Sequence, residues 1–181
     1  KIATAPDRNA GFIADHHGNI RLAYAEKDDD EVEIFQRSAA GDWQLLPALG
    51  ASRDLPIDFN DADTLVYFEC NVPAGFGICT WSPASPQMPT VWSNPKVMAT
   101  GLAGGPSEHR YIGVDFDYGR PGVALFDSKS TDAQLLIALM QQFPGESDHF
   151  VSSTRNGSKS IRRVEADTDP GVFYLWERNS T

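Results

Sequence analysis

An all-β fold built from repeated groups of short antiparallel strands is what this sequence predicts, and three features predict it. Gly 15 and Pro 12 are scattered through 181 residues, the distribution of many turns rather than of low complexity. Runs of four to seven residues alternate apolar and polar, as in Ile20 to Glu26 (IRLAYAE), the period of a half-buried strand. Equivalent first-strand positions, Ile13, Ile57, Ala99 and Val151, recur 44, 42 and 52 residues apart. A period of about 40–45 residues with four short strands is the signature of a β-propeller blade. A β-sandwich also has evenly spaced short strands, but it does not repeat one strand-turn-strand-loop plan four times. The expected fold is therefore a partial β-propeller of about four antiparallel blades, the last one incomplete, with one short helical insertion. The blade-like units span approximately 9–47, 55–93, 97–144 and 148–181 of a single propeller domain.

In the first unit, residues 9–15 read as a strand that His16-His17-Gly18-Asn19 turns. Strands follow at 20–26, 32–37 and 43–46, separated by a charged loop at 27–31 and a turn at 38–42. The second unit has strands at 55–59, 64–71, 76–82 and 90–92. The third has 97–100, a Gly-rich turn at 103–106, then 111–115 and 123–127. It then departs from the plan. In Asp132 to Phe143, Leu136, Leu139, Met140 and Phe143 stand at i, i+3, i+4 and i+7, which predicts an amphipathic helix capped by Asp132 and ended by Pro144-Gly145. A fourth blade strand is the competing assignment. The last unit reads as strands at 149–153, 160–165 and 172–176. Its first turn carries Asn156-Gly157, a pair that favours type I′ geometry, and a DTDPG breaker cluster separates its last two strands.

The apolar fraction (41%) and the length suffice for a substantial core. No apolar run approaches the ~20 residues that span a bilayer, and the opening KIATAPDRNAGF lacks signal-peptide architecture. The net charge of −10 disfavours nucleic acid and anionic membranes, because Arg162-Arg163 and Lys96 are too few to form a basic patch. Cys70 and Cys79 flank a turn centred on Ala74-Gly75, which places them opposite one another on paired strands. A bridge is the preferred reading and implies a periplasmic or secreted protein; two buried thiols in a cytoplasmic protein are the alternative.

Four stretches look like the propeller domain of the prolyl oligopeptidase family of serine peptidases, in its acylaminoacyl-peptidase-like branch. They are Phe12 to Tyr24 (FIADHHGNIRLAY), Gly75 to Trp81 (GFGICTW), Leu136 to Gly145 (LIALMQQFPG) and Val151 to Leu175 (VSSTRNGSKSIRRVEADTDPGVFYL). Asn156 stands where the family usually has Asp, and Ala166 where it often has Ser. The resemblance implies a domain without catalytic residues of its own. The family's serine lies on a Gly-x-Ser-x-Gly elbow, which this sequence lacks. It further implies a partner α/β-hydrolase domain on a separate segment of a parent chain, peptide substrates whose entry the propeller gates, and no cofactor. On this reading the chain is a piece of a larger propeller, and unpaired sheet edges invite self-association. The alternative is a stand-alone module that binds a peptide or glycan.

Candidate site residues are few. Arg162 and Arg163 point to opposite faces of one strand; with Asp167 and Asp169 they are candidates for a channel or domain interface, against the plainer reading of surface ion pairs. Asp15-His16-His17 has donor atoms for a metal but reads as a solvated hairpin turn. Asp28-Asp29-Asp30-Glu31 lacks Ca²⁺-loop spacing and reads as a solvated loop. Asp115 and Asp117 can share one side of a strand, while His109 and His149 read as isolated. Trp43, Trp81, Trp92, Trp176 and Tyr174 fit packing between blades better than a sugar-binding row.

Overall fold

A computed structural model describes residues 3–27, 31–47, 49, 53–73, 75–85, 87–107, 110–166 and 168–178. The chain divides into two compact units, Lys1–Pro95 and Lys96–Thr181. It is mostly strand, arranged as four antiparallel sheets with one helix.

In the first unit, β1 (Gly11–Ala14), β2 (Ile20–Glu26), β3 (Val32–Arg37) and β4 (Trp43–Leu45) form one meander. The next is β5 (Leu55–Phe59), β6 (Val66–Val72), β7 (Gly75–Trp81) and β8 (Thr90–Ser93). Alternation explains the faces of β3 and β6, while β2 and β7 bury residues of both phases. Leu22, Val32 and Ile34 of the first sheet meet Phe59, Val66, Phe68, Cys70, Cys79 and Trp81 of the second in one buried apolar cluster. The first strands of the two sheets, β1 and β5, lie beside each other.

The second unit holds β9 (Ala99–Gly104), β10 (Tyr111–Asp117) and β11 (Pro121–Leu125), then helix α1 (Thr131–Met140), then β12 (Ser147–Ser153), β13 (Lys159–Ala166) and β14 (Asp169–Glu177). Each trio is a three-stranded antiparallel sheet. Again the first strands, β9 and β12, are neighbours. The helix buries Ala133, Leu136 and Leu139. Its cap is Ser130, whose hydroxyl accepts from the Ala133 N–H at 3.2 Å, rather than the expected Asp132, which lies inside the first turn. The helical backbone stops at Met140, short of the expected Phe143, and Gly145 supplies a positive φ of 87° in the turn beyond it.

One turn design joins first and second strands in three of the four sheets. Asp15, Asn60 and Thr154 open these turns, and each offers a side-chain oxygen to a backbone N–H four or five residues on: Asn19, Thr64 and Lys159 at 2.9, 2.8 and 3.0 Å. The fourth turn position is left-handed in each, with Gly18 at φ 81°, Asp63 at 55° and Gly157 at 65°. The same plan closes β3–β4, where Ser38 accepts from Asp42 and Gly41 has φ 94°. This corrects the type I′ expectation at Asn156-Gly157. Only Gly157 has positive φ, and its N–H donates to the Thr154 carbonyl at 2.8 Å, the pattern of a longer loop ending in one left-handed residue.

Several strand boundaries also shift. Strand β9 runs to Gly104, through the start of the expected Gly-rich turn, and β14 begins at Asp169, within the breaker cluster. In the β6–β7 hairpin Val72 pairs with Gly75, so Cys70 lies opposite Gly77 and Phe68 opposite Cys79. The cysteines are diagonal neighbours, not directly opposed. Their Cα atoms are 5.9 Å apart and bridged by a disulfide, a spacing within the usual range.

Candidate functional site

Polar chemistry concentrates where β12 and β13 cross the second unit. The phase of β13 (KSIRRVEA) turns Ser160, Arg162 and Val164 inward, and all three are buried. A guanidinium there needs a partner, because an unpaired buried charge is prohibitively costly. Asp148 on β12 supplies it. Its side chain is 0% exposed and that of Arg162 is 4% exposed. The Arg162 Nε donates to Asp148 Oδ1 at 3.0 Å, and a second guanidinium nitrogen contacts Oδ2, the two-pronged geometry that suits a planar guanidinium. The Phe143 ring covers the guanidinium, 6.0 Å from its carbon to the ring centre. Burial pushes the Arg162 pKa down. Arg162 is thus no surface ion pair.

Arg163 is the surface residue of the two. It contacts Glu165 and reaches the Pro170 carbonyl at 3.4 Å. Asp169 accepts from the Gly171 N–H at 2.9 Å at the start of β14. Asp167 lies outside the described residues, as do Asp28, Asp29, Asp30 and His109. The structure therefore separates the interface or channel candidates that it describes: Arg162 is inside, while Arg163 and Asp169 are outside.

His149 is not isolated. Its Nδ1 lies 3.8 Å from Asp115 Oδ1, across from β12 to β10. That oxygen is buried and accepts no hydrogen bond among the described residues. Burial raises the Asp115 pKa, and His149 opposes the rise. A cavity of about 20 Å³ touches Asp115, Asp148 and His149, roughly the room one water needs. A wider, open groove of about 260 Å³ runs along the same seam, lined by Gly104, Gly105, Arg110, Tyr111, Phe150 and Ser152. Asp117 takes no part in either.

In the first unit the hairpin turns meet in the same manner. His16 Nδ1 lies 2.8 Å from Asp63 Oδ1, and His17 Nε2 lies 3.8 Å from Oδ2. Asp15 is buried and accepts from the His17 and Asn19 backbone, the Asn19 amide and Arg21. Burial alone would raise its pKa, but these hydrogen bonds outweigh it and hold the carboxyl below its ordinary value. The expected turn is present, yet of Asp15, His16 and His17 only His17 is exposed. Among the described residues no group of three or more His, Cys, Asp or Glu side chains has metal-binding geometry.

Of the aromatic candidates, Trp81 belongs to the first unit's core. Trp43 packs on Phe12, Trp176 on Phe150, and Tyr174 on Phe143. The sequence pattern did not flag a different row. Val151, Ile161, Phe173 and Leu175 are 43–66% exposed. Ile161 pairs with Leu175, and Phe173 lies two residues along β14, so these three share one face.

No protein-family model matches the chain, and no curated protein matches it. Among the described residues no helix is long and apolar enough to cross a membrane. The disulfide is of the kind that persists in oxidising compartments.

Proposed function

We propose that this chain is the non-catalytic β-propeller portion of a prolyl oligopeptidase-like serine peptidase, and that it gates short peptides on their way to a hydrolase domain carried on another segment. The observation that supports this most is the recurrence of one module: a short antiparallel meander whose first strand turns into its second through the same side-chain-capped loop. First strands lying side by side within each unit are what blades around an axis require. The buried Asp148–Arg162 pair then acts as a rigid pin in the wall of the gate rather than as a reactive group. A periplasmic or secreted setting fits the disulfide.

Two measurements test the proposal. A crystal structure of the chain should place all four sheets around one axis, and two face-packed sheets would overturn the fold. The isolated chain should hydrolyse no peptide or ester; turnover lost on replacing one of its own serines would overturn the role.

A second reading, a stand-alone peptide- or glycan-binding module, is favoured by the exposed Val151, Ile161, Phe173 and Leu175. Contiguous apolar surface of this kind marks interaction sites. Saturable binding of a peptide or oligosaccharide by the chain alone, lost in Phe173→Ser, would favour that reading. Concentration-dependent dimerisation lost in the same variant would instead assign the face to self-association.

A further inference from the structure

We propose that Asn156 is a latent site of covalent modification, deamidating through a succinimide, and that the folded β12–β13 turn holds the reaction shut. This chemistry is independent of the peptidase role. Asn156 is exposed and is followed by Gly157, so no side chain on the next residue hinders attack by its backbone nitrogen. In the reaction the deprotonated Gly157 nitrogen attacks Asn156 Cγ. A C–N bond forms, the Cγ–Nδ2 bond breaks, and ammonia leaves. Water then opens the ring at either carbonyl, giving aspartate or a β-linked isoaspartate, with no change of oxidation state.

The native turn restrains both reacting atoms. The Gly157 N–H is engaged with the Thr154 carbonyl at 2.8 Å. The Asn156 amide oxygen accepts from the Thr154 hydroxyl at 2.9 Å and from the Ser158 N–H at 3.1 Å. Thr154 is fixed in turn by the Lys159 N–H at 3.0 Å. Gly157 itself is buried against the β9–β10 turn; a Cβ there would lie 2.6 Å from Ser107 Oγ and 3.1 Å from the Pro106 carbonyl oxygen. Ring closure needs the amide nitrogen released and the side chain swung onto it, so the hairpin tip must open first.

The two products differ in consequence. Aspartate keeps the oxygen that Thr154 and Ser158 address. Isoaspartate lengthens the backbone by one methylene between residue 156 and Gly157, which displaces Gly157 from its close seat against Pro106 and Ser107. It therefore unseats the β12–β13 turn from its neighbour.

The test is peptide mapping by mass spectrometry after incubating the full chain, folded and urea-unfolded, at mildly alkaline pH. Asn156 should convert readily in the unfolded chain and roughly tenfold or more slowly when folded, because only locally opened molecules react. Thr154→Ala should raise the folded-state rate towards the unfolded one. Should that variant fail to fold, hydrogen exchange at the wild-type Gly157 amide serves instead, since opening and deamidation must rise together with denaturant. Equal rates in folded and unfolded chains would overturn the restraint. Absence of product at Asn156 in the unfolded chain would overturn the site.

Discussion

The two units solve the same packing problem with different chemistry. The first closes two four-stranded sheets over an apolar cluster centred on Phe68 and braces it with the Cys70–Cys79 disulfide. The second has only three-stranded sheets and a helix, and at its interior sits a carboxylate–guanidinium pair capped by Phe143. Both are built from antiparallel meanders, and the second unit also buries Ile112, Val114, Leu136, Leu139 and Val164, so what sets it apart is an ion pair set within an apolar interior. An apolar interior gains from every methylene it hides and tolerates approximate shapes. A buried ion pair gains little net energy against a well-packed apolar substitute, yet it is costly to break and strict about geometry. The Asp148–Arg162 pair is expected to add little net stability and to serve instead to fix the register of β12 against β13.

The largest effects break that contrast directly. Arg162→Ala leaves Asp148 charged and unpaired, and should cost about 3–5 kcal/mol in denaturant unfolding, with lost amide protection confined to the second unit. Phe68→Ala should cost a similar ~3–5 kcal/mol in the first unit, through a cavity. The decisive variant is the double replacement Arg162→Met with Asp148→Leu, which should recover most of the Arg162→Ala loss. If the double variant is no better than the single one, the pair contributes net stability and the contrast between the units fails.

Next in size is the disulfide. It closes a short loop, and a loop of this order constrains the unfolded chain by about 2–3 kcal/mol. Cys70→Ala with Cys79→Ala should lower the first unit's stability by that amount while the second unit's exchange protection stays unchanged. Loss of protection in both units would show that the bridge supports more than its own hairpin.

Much of this architecture was legible in the residues. The bounds of β2, β3 and β5 match those read from the sequence. Simple alternation accounts only for β3, since β2 buries Ala23 and Ala25 as well as Leu22, and β5 buries Pro56 and Phe59 across a bulge. The helix followed from its 3.6-residue period; its cap did not, since Ser130 and Asp132 are both good capping residues and only the chain path chooses between them. The candidate site was less legible for a physical reason. Asp148 and Arg162 are 14 residues apart, His16 and Asp63 47 apart, and each pair is brought together by strand pairing or sheet packing that no local pattern encodes. One local signal was present for the first pair. In Ser160-Ile161-Arg162-Arg163-Val164, Arg162 occupies the phase of the buried Val164, and a charge on the inward phase demands a partner from an adjoining strand. Phe173 and Leu175 mislead in the opposite sense, being apolar yet exposed.

The smallest effect concerns Asp115, where the sign carries the information. Its pKa is raised by burial, with His149 pulling the other way. A carboxyl whose folded pKa exceeds its unfolded one binds more protons folded than unfolded between the two values. Stability therefore falls as pH rises through that window, and above it the cost of the buried carboxylate is fully present. Asp115→Asn removes the charge and should be neutral below about pH 4 and stabilising at neutral pH. The advantage should grow when His149→Gln is added to both proteins, since the imidazole then no longer offsets the cost. Urea unfolding across a pH series measures both differences. If Asp115→Asn is destabilising at neutral pH, attraction to His149 outweighs burial, and Asp115 is a stabilising partner of His149 rather than a strained carboxylate.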